Sequence, residues 1–300
     1  NNGGMFTHNS STVVFNGSSA QTIGGSAGNT FYNLTVNNSN HVSLGAAQTV
    51  EGVLMLTDGN LLLEAYNLNL GSSASVSGSF DASHMLVADD SGAVCKTFGA
   101  TGSFTYPVGD DTGTAEYSPA TVTFTSGTTF TGCLRLVNAV HPNLPPSVDY
   151  LTRYWTLTSS STGFAVSATF NYLDADIVGV ESRLAALKYN SSGWSILNGS
   201  INISANTFTF TSLTDLSDFT ASNMPTAVML DNLSGRSLGN TVLIEWATIS
   251  NLNLVGFNLY RAASFGNPRE KINSELIPVD WQNPTFGGRY QFEDTTARFG

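Results

Sequence analysis

Short apolar runs recur through residues 31–78, and asparagine, glycine, serine or aspartate closes each run within a few positions. Runs of this length are too short for helices and are typical of strands separated by turns. They follow one another every 7 to 12 residues or so, with a period near 20 when taken in pairs, as in repeat folds. The pattern predicts a stacked β-coil or a meander in which each unit buries its apolar face against the next. The runs are Leu34/Val36, Val42/Leu44, Val53/Leu54/Leu56, Leu61/Leu62/Leu63 and Leu68/Leu70.

The strands predicted after residue 90 are longer and alternate between apolar and polar positions. Segments such as SFTYPV, ATVTFTS, RYWTLTS and TFTFTSL have this alternation, with Gly/Ser/Asp turns between them. Regular alternation between turns is typical of an antiparallel β-sandwich. We therefore predict an immunoglobulin-like sandwich over residues 91–223, with Trp155 and Trp194 as core anchors because large aromatic side chains supply much of the buried area.

A Pro-containing linker, SNMPTAV, separates this region from a third set of strands. The strands NTVLIEWAT, GFNLYRA and RYQFEDTTA have the spacing of a further sandwich. The predicted organisation is thus all-β, with a β-repeat region at residues 1–90, a sandwich at 91–223 and a third module at 227–300.

Composition narrows the classes of partner. Only 11% of the residues are charged and the net charge is -11, which disfavours nucleic acid because phosphates need a basic surface. The same balance disfavours anionic membrane surfaces, and no apolar window is long enough for a membrane helix. A surface solvated by Ser, Thr and Asn is common in secreted β-rich proteins, so we predict an extracellular or cell-surface location.

The chain has two cysteines, Cys95 and Cys133, both in predicted strands of the sandwich. In an exported chain two cysteines favour a single disulfide. The alternative is a pair of buried free thiols that pack as small hydrophobic side chains.

Catalytic signatures do not emerge from the sequence. The four histidines have no metal-ligand spacing, and nucleophile-elbow, Walker and dinucleotide motifs are missing. We therefore expect no enzyme and no resident cofactor. One weak cation candidate is the loop with Asp174, Asp176 and Glu181, since clustered carboxylates are the ligands that Ca²⁺ prefers; the alternative is a solvated turn.

The amino-acid sequences of several segments resemble those of large secreted surface and adhesin-like proteins of Bacteroidota and related phyla. FNGSSAQTIGG, FYNLTVNN and VEGVLMLTDGNLLL are similar to the family's repeat region, and CKTFGATGSFTYPVGDD and YLDADIVGVES to its sandwich. VLIEWATISNLNLVGFNLYRA is similar to its fibronectin type III-like module. The resemblance covers nearly the whole chain and implies scaffold or adhesive roles without shared catalytic residues.

The resemblance also implies that the third module is partial, because the two strands that usually follow EDTT are missing. An incomplete sandwich exposes an unpaired edge. A fragment, proteolytic maturation, or completion by a strand of another subunit would each explain it. In the third case we predict a head-to-tail joint between two sets of apolar residues, which without closure gives filaments. The sets are Phe6, Val13, Val14 and Phe15 at one end and Val242, Ile244, Trp246, Phe257 and Leu259 at the other.

Our functional expectation is a structural subunit of an extracellular bacterial filament, sheath or adhesive fibre that pairs strands with copies of itself. The alternative is a monomeric adhesin or glycan-binding region that contacts glycans or other surface proteins. Exposed aromatic side chains would stack on sugars in that case, and the candidates are Tyr66, Tyr106, Tyr117 and Trp281.

Overall fold

The structure, a computed structural model, describes residues 6–25, 27–144, 149–190, 193–196, 199–223, 230–248, 254–262, 268–279 and 288–297. These residues form strands, turns and two short 3-10 helices, Asp174–Asp176 and Glu181–Arg183, without an α-helix. The prediction of an all-β chain is therefore confirmed. In this part of the chain no helix has the length and apolar character needed to cross a membrane. The chain divides into two compact units, Asn1–Met224 and Pro225–Gly300.

The first part of unit 1 is a parallel β-solenoid with three strands per coil. Residues that pair along one face, Val13, Leu34, Leu54 and Val76, are spaced by one coil of about 20 residues. The predicted solenoid-like coils are thus present, but each coil has three short strands instead of a pair. The strands are β1 (Thr12–Phe15), β2 (Gln21–Ile23), β3 (Thr30–Phe31), β4 (Asn33–Asn37), β5 (Val42–Leu44), β6 (Gln48–Val50), β7 (Val53–Asp58), β8 (Leu61–Leu62), β9 (Leu68–Leu70), β10 (Ser75–Gly78), β11 (Leu86–Val87) and β12 (Val94–Phe98).

Successive coils stack their strands into three parallel faces. Face A has the order β1-β4-β7-β10, face B begins β2-β5-β8-β11, and face C begins β3-β6-β9-β12. Inward side chains form apolar stacks inside the coils, and Leu34, Val36, Leu54 and Leu61 are fully buried. Stacking therefore buries in each coil an apolar face that a single coil could not cover alone.

The turns between faces A and B approach one another closely. Gly59 has φ +79, and a Cβ atom there would lie 1.9 Å from the carbonyl oxygen of Asn38 in the turn of the preceding coil. The buried Asn60 side chain accepts from Met85 N (3.0 Å) and donates to Ala82 O (3.2 Å), so it ties its turn to the following coil. Glycine is required where backbones touch, and the buried amide satisfies backbone groups that no strand pairs.

A β-sandwich continues directly from the solenoid. Its strands are β13 (Gly102–Tyr106), β14 (Val108–Asp110), β15 (Glu116–Tyr117), β16 (Ala120–Ser126), β17 (Phe130–Val137), β18 (Tyr150–Leu151), β19 (Tyr154–Thr158), β20 (Ala165–Asn171), β21 (Ile177–Val178), β22 (Ala185–Asn190), β23 (Gly193–Ser195), β24 (Gly199–Asn202), β25 (Thr207–Leu213) and β26 (Asp218–Ser222).

Face C carries the chain from the solenoid into the sandwich. β12 pairs in parallel with β9 on one side and antiparallel with β17 on the other, and the sheet goes on through β19 and β26. The opposing layer is the antiparallel sheet β13-β16-β20-β25-β24. The change near the predicted boundary at residue 90 is thus a change from parallel to antiparallel pairing within one sheet.

The core between the two sandwich layers is aromatic. Trp155 is fully buried, with its ring centroid 5.5 Å from those of Phe170 and Phe208. Trp194, the other predicted anchor, is only half-buried and donates from Nε1 to Asn143 O at 2.9 Å. One predicted anchor therefore lies in the core and the other at its margin.

Unit 2 has a three-stranded antiparallel sheet, β27-β28-β33, and two short pairs, β29-β32 and β30-β31. Its buried hydrophobic core among the described residues is small and consists of Trp246, Phe257 and Val279. The strands are β27 (Leu230–Ser237), β28 (Val242–Thr248), β29 (Gly256–Phe257), β30 (Tyr260–Arg261), β31 (Glu270–Lys271), β32 (Ile277–Pro278) and β33 (Arg289–Asp294).

Candidate functional site: open strand edges of unit 1

The first coil leaves two parallel strand edges without a partner among the described residues. β1 pairs only with β4, and β2 pairs only with β5. Val14 of β1 is 48% exposed, whereas Val13 and Phe15 point inward and pack against the core. An unpaired strand edge is a template for pairing with another chain.

The hydrogen bonds between β1 and β4 show which backbone N–H and C=O groups of β1 face its open edge. Asn33 N donates to the carbonyl oxygen of Ser11 at 3.2 Å, so Ser11 and every second residue after it face β4. In parallel sheets a residue directs its N–H and C=O to the same side. The N–H and C=O groups of Thr12 and Val14 therefore point to the open edge.

The residues before β1 cover part of the remaining edge of the first coil, which is that of β3. The Phe6 ring lies 5.3 Å from that of Phe31 in β3, and His8 stacks on Tyr32 at 5.9 Å. His8 Nε2 is also 3.4 Å from Glu51 Oε2. Phe6 thus extends the inward stack of face C, and the open edges are those of faces A and B.

A second open edge lies where face A stops. Face B continues past β11 with β14, and face C continues past β12 with β17, but β13 pairs with β16 instead of β10. Within the described part of the chain, face A therefore lacks the strand that would complete its next coil. We call this position the vacant A position.

A groove of about 740 Å³ occupies the vacant A position. The outer edges of β10 and β13 border it, and neither edge has a strand partner among the described residues. Its lining combines apolar side chains with exposed serines and threonines. Apolar residues of the lining include Ala74, Val76, Phe80, Phe98 and Phe104.

Lys96 closes the interior of the solenoid beneath this groove. It occupies the inward position of face C that Phe31, Val50 and Leu70 fill in the preceding coils. Its Nζ donates to the carbonyl oxygens of Gly71, Ser72 and Ala74 at 2.6, 3.0 and 2.8 Å. Burial lowers the pKa of the ammonium, and the three carbonyls use all its donors.

Comparison with family models, with curated proteins and with solved structures gives no match. The resemblance to secreted surface proteins therefore stays an expectation. Function is inferred from the strand edges, the groove and the chemistry around them.

The three carboxylates predicted as calcium ligands do not share a site. Asp176 accepts from Arg153 Nε at 2.8 Å, Asp174 accepts from Asn206 Nδ2 at 2.6 Å, and Glu181 accepts from the Tyr172 hydroxyl at 2.7 Å. Within the part of the chain that the structure describes, no group of three His, Cys, Asp or Glu residues could hold a metal ion. The calcium prediction is corrected: each carboxylate has its own protein donor.

Asp176 belongs instead to a buried ion cluster around Arg153, which the sequence did not indicate. The guanidinium is fully buried and contacts Asp110, Glu116 and Asp176, with Nη2 3.2 Å from Asp110 Oδ2. Nη1 donates to Ser118 Oγ. The cluster thus ties β14 and β15, the strands that extend face B, to the start of β19 and to the 3-10 helix Asp174–Asp176.

Burial raises the pKa of Asp110 to about 6, although the Arg153 guanidinium and the Asn138 amide oppose the shift. Between pH 6 and the ordinary aspartate range the folded chain then holds a proton that the unfolded chain has released. We expect this group to raise the free energy of unfolding by about 2 kcal/mol as the pH falls from 7 to 4.5. Urea unfolding at several pH values measures the rise.

Asp110→Asn is expected to flatten this pH dependence, because the side chain no longer titrates. The neighbouring Asp111→Asn is the control, since Asp111 is exposed. Equal slopes in the Asp110→Asn variant and the unchanged chain would contradict the assignment.

The two cysteines, Cys95 and Cys133, are opposite residues of β12 and β17 and form a disulfide.

The aromatic residues predicted to stack on sugars differ in exposure. Tyr106 is fully buried, and its hydroxyl donates to Gly132 O at 2.9 Å. Burial raises the pKa of Tyr117 to about 12. Tyr66 is 39% exposed. Trp281 lies outside the described residues.

The residues predicted at the far end of the joint are mostly core residues of unit 2. Trp246 and Phe257 are buried against each other at 5.2 Å, and Ile244 and Leu259 pack on them. Val242 is half-buried. Trp246 and Phe257 are therefore not available on the surface, although Trp246 Nε1 has no hydrogen-bond partner among the residues that the structure describes.

Proposed function

We propose that the chain is a structural subunit of an extracellular bacterial filament, sheath or adhesive fibre, assembled by β-strand pairing between copies. The observation that carries this proposal is the pair of open parallel edges on β1 and β2. Strand addition at such edges supplies backbone hydrogen bonds without needing charged contacts. It suits a chain in which only 11% of residues are charged.

Two further observations support this proposal. The Cys95–Cys133 disulfide uses both cysteines of the chain, and disulfides persist mainly in oxidising compartments. The net charge of -11 keeps subunits soluble before they assemble. Both features fit a secreted subunit.

Negative-stain microscopy and size-exclusion chromatography of the purified chain test assembly, and Val14→Pro is the informative variant. Proline at this position removes an N–H that points to the open edge and leaves the bonds between β1 and β4 in place. We expect fibres or large oligomers from the unchanged chain and their loss in Val14→Pro.

Val14→Thr is the matched control, because threonine keeps the N–H and the β-branched shape. It should assemble like the unchanged chain. Assembly through this edge would be excluded if the purified chain stayed monomeric at all concentrations. It would also be excluded if the Val14→Pro variant assembled as well as the unchanged chain.

A further inference from the structure

We propose that the vacant A position receives the β1 segment of a second copy, Thr12–Phe15, as an added parallel strand beside β10. The inference rests on the proposed function and names the acceptor within it. Both the donated strand and the strand that accepts it then belong to unit 1. The sequence analysis instead predicted an acceptor in the third module.

The backbone of β10 is prepared for a further strand. Ser75 N donates to Gly52 O at 2.9 Å, so Ser75 and Ser77 face β7. By the alternation of a parallel sheet, Val76 and Gly78 direct their N–H and C=O groups to the edge of β10 that faces away from β7, and Val76 also lines the groove. Thr12 and Val14 direct the matching groups to the outer edge of β1.

The side-chain stacks of face A identify which strand fits. One inward stack runs Val13, Leu34, Leu54, Val76, and the other runs Phe15, Val36, Leu56, Gly78. The second stack therefore begins with its largest side chain and ends with glycine. If β1 of a second copy continued this register, Val13 would lie beside Val76 and Phe15 would cover the space beside Gly78.

Gly78 cannot fill that space by itself. A Cβ atom at Gly78 would lie 2.4 Å from the carbonyl oxygen of Leu56, and its φ is +139. The second stack therefore ends at a residue that carries no side chain. A phenylalanine from outside supplies the missing apolar volume.

Only a separate strand can occupy this position. β14 and β17 already continue faces B and C at the same level, so an intact first coil of a neighbour would collide with them. β1 is the strand of face A held on one side only at the start of the solenoid, and its outward residues Thr12 and Val14 are exposed. Among the described residues β4 is the strand that holds it, so leaving face A breaks one set of strand pairs.

A peptide tests the acceptor without requiring assembly. A fluorescent peptide with the sequence of residues 8–18 should bind the purified chain saturably in polarisation assays. The Phe15→Ala peptide should bind at least about tenfold more weakly, because it loses a buried aromatic side chain. The Val14→Pro peptide should also lose binding, since its missing N–H faces β10.

Crosslinking tests the register between two copies. Val14, Thr35, Met55 and Ser77 form one outward row of face A, so a donated Val14 lies beside Ser77. A Val14→Cys chain mixed with a Ser77→Cys chain should give a disulfide-linked dimer. The control partner, Ser200→Cys, is exposed on β24 and should give none.

The outcomes separate the two proposals. Fibres that form while neither the peptide nor the Ser77→Cys partner reacts would overturn the acceptor assignment and leave the assembly proposal standing. Peptide binding and the specific crosslink in a chain that never forms fibres would support the acceptor and refute the fibre. Equal crosslinking of Ser77→Cys and Ser200→Cys would count against the register.

Discussion

Replacing Arg153 by methionine is expected to lower the free energy of unfolding of unit 1 by about 3–5 kcal/mol, the usual cost of removing one partner from a buried ion cluster. The variant leaves Asp110, Glu116 and Asp176 without a cation. The side chains of Asp110 and Asp176 are 0% and 2% exposed, so water cannot replace the guanidinium. Urea unfolding followed by tryptophan fluorescence measures the loss.

Arg183→Met is the matched control for this prediction. The Arg183 side chain is 61% exposed and its Nη1 is 3.8 Å from Asp149 Oδ2. Surface ion pairs contribute about 0–1 kcal/mol, so this variant should unfold close to the unchanged chain. A loss in Arg153→Met no larger than in Arg183→Met would mean that the cluster is not a stabilising element.

A compensating variant separates lost charge balance from lost packing. Arg153→Met combined with Asp110→Asn and Asp176→Asn removes two of the orphaned negative charges. Because unpaired buried charge is the main cost of the single change, the triple variant should recover part of the stability. No recovery would point to the packing of the Arg153 stem as the cause.

The sequence predicted the strands well because their signal is local. Apolar runs closed by Asn, Gly or Ser at residues 31–78 identify short strands and turns, and these are present. The three-strand coil was less visible. β3 and β8 have two residues each, Thr30–Phe31 and Leu61–Leu62, which is too short for a recognisable alternation.

The buried ion cluster and the groove could not be predicted in the same way, because both depend on distant partners. Arg153 meets Asp110, 43 positions earlier, and Asp176, 23 positions later, whereas the carboxylates of residues 174–181 suggested calcium only because they are close in sequence. A lysine in a strand is expected to be exposed, but Lys96 is only 5% exposed and lies in an apolar stack. The vacant A position exists because β13 pairs with β16, and no local pattern specifies that choice.

Removal of the Cys95–Cys133 disulfide is expected to lower the free energy of unfolding of unit 1 by about 2–4 kcal/mol. The bond links residues 38 positions apart, and the enclosed segment contains β13 and β16. Without it the unfolded chain gains the freedom of a long loop, so the loss should appear as a lower urea midpoint with little change in the folded spectrum.

The Cys95→Ala/Cys133→Ala variant and the reduced unchanged chain should unfold at similar urea concentrations. Since the chain has no other cysteine, reductant should leave the double variant unaffected, and that comparison is the control. Equal midpoints for the oxidised and reduced chain would contradict the prediction.

The stability lost on removing the disulfide also shows how strongly unit 1 depends on an oxidising compartment. The bond spans β12 and β17, where face C changes from parallel to antiparallel pairing, so its loss acts on the strands that hold the solenoid to the sandwich. A loss of about 2–4 kcal/mol is a large part of the 5–15 kcal/mol that typically stabilises a folded domain. A reducing compartment would then remove this share of the stability of unit 1, and an oxidising one would keep it.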